Sequence, residues 1–226
     1  MELGVMVGAL VDGLGLSAWI FVVTLVGSLP LGIVVALCRM SSFKPLSLLA
    51  QFYISILRGT PLMLQLMAFM FGPYYLLGMN MGTDWKFGAC AVGFILNYSA
   101  YFAEIYRSGI QSIPKGQYEA ALVLGYSRSQ TFFKIVLPQA IRYVIPSLIS
   151  QLVVVVKDTT VAYVVSYPDM LQNARVLITN YDALVSTYLV VAVIYILLNY
   201  AINQLSVYVA RRSGIRVVSR YSTNPA

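Results

Sequence analysis

The sequence predicts an all-α integral membrane protein of about five transmembrane helices, with a helix–turn–helix hairpin in the polar segment between the third and the fourth. Three observations predict it. First, 59% of the 226 residues are hydrophobic and only 10% are charged. A soluble domain carries about a quarter charged residues, so this chain lacks the polar surface to cover a globule and lipid must cover the rest. Second, the apolar residues fall in runs long enough to cross a bilayer. Third, lysine and arginine collect in alternate inter-run segments, as they do on the cytoplasmic side of membrane proteins.

Residues 1–16 are apolar and Gly-rich and contain Glu2 and Asp12, so they read as a short surface or re-entrant lead-in. The two acids stand where a cleaved leader would carry Lys or Arg, which argues against one. Ser17–Cys38 is an uncharged run of 22 residues, enough to cross roughly 30 Å at 1.5 Å per residue. Pro30 predicts a kink within it. Residues 39–58, bounded by Arg39, Lys44 and Arg58, read as an amphipathic stretch or the start of a long second helix.

The second span is placed at 59–79, with a break at Gly72-Pro73, and the third at 87–106, after a loop whose Trp85 suits a membrane interface. The fourth covers 143–167. Only 14 residues separate Arg142 from Lys157, too few to cross, so this span must continue through Lys157-Asp158. Residues 168–182 read as an outer loop, and 183–210 as the fifth span, followed by a basic tail from Arg211 to Arg216. The whole chain reads as one transmembrane domain.

Orientation follows from the cations. One class of segment holds Arg39, Lys44, Arg58, Arg107, Lys115, Arg128, Lys134, Arg142, Arg211, Arg212, Arg216 and Arg220; the other holds Lys86 and Arg175. Twelve against two puts the hairpin and the C-terminus in the cytoplasm and the N-terminus outside. The net charge of +7 is thus topology rather than a nucleic-acid surface.

Several chemistries are excluded. The chain has no histidine, and Cys38 and Cys90 both lie in apolar runs, where they read as small packing side chains; no metal site and no disulfide is predicted. No set of residues supports catalysis, no cofactor is implied for this chain, and no Gly-x4-Gly-Lys-Ser/Thr sequence occurs. Any ATP used is bound by another chain.

The polar segment 112–138 has its own local logic. Ser112 can cap a short helix with Pro114 in its first turn. Glu119, Ala120 and Ala121 favour helix, Gly125 suits a left-handed turn, and Ser127 with Gln130 forms a capping box that starts a second helix toward Pro138.

Charges at bilayer depth mark a pathway, a site or an internal ion pair. Lys157 and Asp158, adjacent on a helix, point about 100° apart and cannot neutralise each other face to face. Asp158 shares a stripe with Ser147 and Gln151, and Lys157 a different face with Ser150. Thr159 and Thr160, β-branched and able to bond backbone carbonyls, predict a loosened helix there. In the third span Asn97, Tyr101, Glu104 and Ser108 share a face, and Glu104 can pair with Arg107. In the second, Gln65 shares a face with Arg58. These groups either line a path for a polar solute or join helices.

The sequence Glu119-Ala120-Ala121, three residues, Gly125, nine residues, Ile135-x-Leu137-Pro138 resembles the EAA loop of bacterial ABC importer permeases. Arg58-Gly59-Thr60-Pro61-Leu62 with Gln65-Leu66 is similar to a segment of the polar amino acid uptake subfamily. So are Ala103 to Ile110 leading into Gly116-Gln117, and Lys157-Asp158-Thr159-Thr160, in which Thr160 replaces the common Ser.

The resemblance implies a permease subunit with no enzymatic activity of its own. It implies ATP-binding cassette ATPase subunits, a second permease subunit and an extracytoplasmic amino acid-binding protein as partners. Glu119 would contact the ATPase, Ala120 and Ala121 would allow close approach, Gly125 would turn the chain, and Leu137-Pro138 would end the hairpin. Lys157, Asp158, Thr159, Gln151, Asn97, Tyr101 and Gln65 would line the substrate path. The competing reading is an ion-coupled secondary transporter or channel built on Lys157 and Asp158. It leaves the capped hairpin unexplained.

Overall fold

The structure, a computed structural model, describes residues 3–212, and every regular element among them is helical. The order is α1 (Leu3–Arg39), α2 (Lys44–Gly59), α3 (Leu62–Leu77), α4 (Trp85–Gln111), α5 (Lys115–Val123), α6 (Arg128–Thr131), a π-helical turn (Phe132–Val136), α7 (Leu137–Asp158), a 3-10 helix (Thr159–Val165), α8 (Met170–Tyr181) and α9 (Leu184–Arg212). By length and composition, Met6–Arg39, Arg128–Val165 and Leu184–Tyr208 are long and apolar enough to cross a membrane; α2 and α3 meet that test only together, as a pair bent by 106°, which is either a broken span or a re-entrant loop. Glu2, Arg216, Arg220 and the rest of the basic tail beyond Arg212 lie outside the described residues.

Residues 1–16, expected as a surface or re-entrant lead-in, are from Leu3 onward the first turns of α1, which is 37 residues long, about 55 Å of helix. Its polar side chains are satisfied on the helix itself: Ser17 Oγ donates to Gly13 O at 3.2 Å, Thr24 Oγ1 to Ile20 O at 2.6 Å, and Ser28 Oγ to Thr24 O. The early turns are held from far along the chain. Tyr167 Oη donates to Leu16 O at 3.0 Å and Asn173 Nδ2 to Ala9 O at 2.9 Å. A Cβ on Gly13 would lie 2.8 Å from the Asp169 carbonyl, so only glycine lets the backbones meet there.

The chain breaks between α2 and α3 because Pro61 disfavours helical backbone at Thr60, which is extended at φ −117, ψ 147. Pro61 also lacks the N–H that would have bonded Leu57 O one turn back. The break expected at Gly72-Pro73 does not form, and α3 continues through both residues. Pro73 deprives Phe69 O of its donor in the same way, and Trp85 Nε1 supplies one at 3.1 Å. The tryptophan placed at the interface by sequence thus also repairs a proline defect.

α4, expected as the third span, packs against α1, α2, α3 and α7. Phe94, Tyr98 and Phe102 are fully buried on it. Its Asn97 and Ser99 are buried within the protein and Tyr101 is half-buried, so the helix need not be uniformly apolar. Gly109 allows the close crossing with α7, since a Cβ there would collide with Val144. The stretch expected as an outer loop at 168–182 is largely helix α8, capped by Asp169, whose Oδ1 accepts from Gln172 N at 2.8 Å. Cys38 and Cys90 are unbonded.

Candidate functional site

The hairpin is α5, a turn at Gly125, and α6. Two local roles differ from expectation. Ser112 closes α4, donating through Oγ to Gly109 O at 2.7 Å, and Pro114, not Ser112, is the residue that precedes α5. The turn is built as expected. Gly125 has φ +79, its N–H donates to Leu122 O at 3.0 Å, and Tyr126 N donates to Ala121 O at 3.0 Å. The capping box forms: Gln130 N donates to Ser127 Oγ at 3.3 Å, and Ser127 N to Gln130 Oε1 at 2.9 Å.

Pro138 does not stop the second helix. The chain stays helical from Arg128 to Asp158, because the π-helical turn Phe132–Val136 rearranges the bonding just before the proline. Leu137 N donates to Phe132 O, five residues back. Leu137 and Pro138 are therefore the first residues of α7.

Within the hairpin Ala121 is buried at 1% exposure, while Glu119 and Ala120 are exposed. A small core of Ile113, Val136 and Ala140, with Tyr118 and Phe132 against it, fixes the hairpin to the end of α4 and the start of α7. Sequence reading missed its most telling residues. Leu122, Val123 and Leu124 are 59%, 88% and 73% exposed, a consecutive apolar tip on an otherwise polar element. The signal was present, since three apolar residues directly precede the turn glycine.

Gln65 and Asn97 are brought together at the α2–α3 break. Gln65 Nε2 donates to Leu57 O at 2.9 Å and to Thr60 Oγ1 at 2.7 Å; Asn97 Nδ2 donates to Leu57 O and to Gln65 Oε1, both at 3.0 Å. The two amides replace the donor that Pro61 cannot supply. Tyr101 sits beside them on α4 with the Arg58 guanidinium 5.2 Å over its ring. Arg58 also lies 3.9 Å from Glu104, whose main partner is Arg107 at 2.6 Å. The expected Glu104–Arg107 pair is therefore present.

At the other end of α7 the two charges diverge. Lys157 is exposed and has no ion-pair or hydrogen-bond partner for its ammonium among the described residues, whereas Asp158 is half-buried and accepts from Tyr98 Oη at 2.6 Å. Tyr98 was not singled out by sequence; its partner lies 60 residues away. The helix tightens to 3-10 form from Thr159, where Thr159 Oγ1 donates to Val156 O at 2.8 Å and Thr160 Oγ1 to Lys157 O at 2.7 Å. Gln151 lies half-buried two turns before Asp158. A single helical rod thus joins the hairpin to Lys157-Asp158; α7 alone contributes 22 residues, about 33 Å.

Residues 28–214 match the family described as "Binding-protein-dependent transport system inner membrane component". The chain is 39% identical over 165 residues to the arginine transport system permease protein ArtQ of Bacillus subtilis (strain 168), covering 73% of this chain and 74% of that one. It is 34% identical over 209 residues to the glutamate/aspartate import permease protein GltK of Escherichia coli O6:H1, covering 91% and 93%. The crystal structure of an amino acid ABC transporter with histidines superposes with a TM-score of 0.86 at 30% identity, covering 94% of this chain and 99% of that one. The MetNI methionine ABC transporter, at 19% identity, covers 94% and 99% with a TM-score of 0.69 and shares the fold. The chain therefore belongs to the multi-pass inner membrane components of binding-protein-dependent transport systems, as a polar amino acid ABC importer permease.

Proposed function

We propose that this chain carries a polar amino acid into the cytoplasm by alternating access, driven by separate ATP-binding cassette subunits that dock on the hairpin. The observation that carries the proposal is the exposed apolar tip Leu122-Val123-Leu124 beside exposed Glu119. Three consecutive exposed apolar residues on an element facing water are stable in the cell when a partner covers them. The hairpin is stiffened by the Gly125 turn and the Ser127–Gln130 capping box and continues into α7 without a helical break. A rigid-body movement at the tip would therefore reach Lys157 and Asp158.

On this reading the hairpin and the C-terminus are cytoplasmic and the N-terminus is outside. A second permease subunit completes the path, and an extracytoplasmic binding protein delivers the amino acid. Lys157, with no counter-ion among the described residues, suits the substrate carboxylate. Asp158, held by Tyr98, suits the ammonium. Thr159, Gln151 and Tyr101 flank them, while Gln65 and Asn97 fix the bend beside the path. Affinity purification from membranes tests the proposal: the wild-type chain should bring an ATPase subunit with it, and a Leu122→Asp, Val123→Asp double variant should lose it. Isolation of the wild-type chain without any ATPase would overturn it.

A further inference from the structure

The end of the molecule opposite the hairpin holds a feature the transport path does not use. A pocket of about 460 Å³ lies between the 3-10 helix and α8, lined by Tyr163, Ser166, Gln172, Arg175, Thr179 and Asn180 among others. The Arg175 guanidinium stands 5.0 Å over the Tyr163 ring, which fixes the position of a charge that has no carboxylate within ion-pair distance among the described residues. Around it are the amides of Gln172 and Asn180 and the hydroxyl of Ser166, while the Thr179 hydroxyl donates to Arg175 O at 2.9 Å, and no acidic residue lines the pocket. Ser166 is held at φ +56, a left-handed conformation uncommon outside glycine that ends the 3-10 helix at the pocket wall. A fixed guanidinium among neutral donors recognises a carboxylate.

We infer that this pocket receives an acidic side chain of the extracytoplasmic binding protein, so that Arg175 is a docking contact on the outer face. This rests on the importer reading above. Two features favour a protein side chain over a free amino acid. An amino acid would bring an ammonium together with its carboxylate, and this lining offers no acid to receive it. Arg175 is also exposed, so its partner is best held by a surrounding protein surface. With Lys86, Arg175 is one of two cations in the segments assigned to the outside, which makes it a distinct electrostatic mark there.

The test uses the complete transporter with its ATPase in lipid nanodiscs, titrated with its own amino acid-loaded binding protein. Arg175→Glu should weaken binding and ATPase stimulation roughly tenfold, the scale of one charge-assisted contact, and Arg175→Lys should weaken them less. Thr179→Glu, one turn along α8, places a competing carboxylate by the pocket without altering Arg175 and should also weaken binding. Exchange of a facing Asp or Glu on the binding protein for Lys should restore binding to Arg175→Glu.

Unchanged affinity in both Arg175→Glu and Thr179→Glu overturns the inference. So does binding of the free amino acid by the wild-type complex that Arg175→Ala abolishes, or a change in permease stoichiometry in Arg175→Glu, which would assign the pocket to a second copy. If no binding protein stimulates the wild-type transporter, it is the importer reading that fails.

Discussion

The Tyr98 hydroxyl donates to Asp158 Oδ2 at 2.6 Å, tying the buried face of α4 to the last residue of α7. The bond orients a half-buried carboxylate next to Lys157, which has no ion-pair partner among the described residues, and both stand where α7 tightens into the 3-10 helix. Asp158→Asn keeps an oxygen that accepts from Tyr98 but removes the charge. We predict that it assembles normally and changes uptake rate or amino acid preference. Tyr98→Phe removes the donor and should destabilise the half-buried carboxylate by about 1–3 kcal/mol. Transport assays in proteoliposomes, alongside quantification of assembled complex, separate the two effects. Failure of Asp158→Asn to assemble would show that the carboxylate holds helices together instead.

Gly125 stands at φ +79 in the hairpin turn. Gly125→Val places a β-branched residue in the left-handed region, where an ordinary side chain costs roughly 1–2 kcal/mol and a branched one more. The expected outcome is normal membrane insertion with ATP hydrolysis uncoupled from uptake. Glu119→Lys, which reverses an exposed charge beside the apolar tip, should act in the same direction. Comparing ATPase rate with uptake in the same vesicles checks both, and normal uptake at normal membrane levels would contradict the lever.

Gln65 and Asn97 supply the donors that Pro61 withholds from Leu57 O. Gln65→Leu and Asn97→Leu should each destabilise the bend by about 1–3 kcal/mol, seen as a lower melting temperature of the detergent-solubilised transporter. Uptake per assembled complex should be little changed. Unaltered melting with lost uptake would instead put these amides in the substrate path.

Asp169 has one carboxylate oxygen, Oδ2, buried without a hydrogen-bond partner, and burial raises its pKa from 3.8 to about 6. The unfolded chain therefore releases this proton at lower pH than the folded one. Between roughly pH 4 and pH 6 the folded state holds more protons, so the contribution of Asp169 to stability falls as pH rises and levels off above pH 6. Thermal melts of wild type and Asp169→Asn across this range should converge in slope outside it and diverge within it. Parallel pH profiles would remove the buried carboxyl from the account.

Short-range signals account for the elements that could be read from the residues alone. An apolar run, a proline that forces its neighbour out of helix, a glycine before a polar stretch and a Ser–Gln pair three apart act over a few residues. The crossings near 17–38 and 183–210, the break at Thr60-Pro61, the Gly125 turn, the Ser127–Gln130 box and the tightened helix at Thr159 were therefore legible.

The tertiary structure decided what depends on partners far along the chain. Residues from Leu3 to Leu16 are helix, held on bonds from Tyr167 and Asn173 that span 151 and 164 positions. Pro73 and Pro138 stay inside helical runs because an indole from α4 and a π-helical turn absorb their missing N–H groups. Gln65 and Asn97 meet each other and Leu57 O, and Asp158 meets Tyr98, through contacts between separate helices. The physical reason is the same in each case. A backbone preference is a property of neighbouring residues, but the partner that satisfies a buried polar group is set only when separate helices pack.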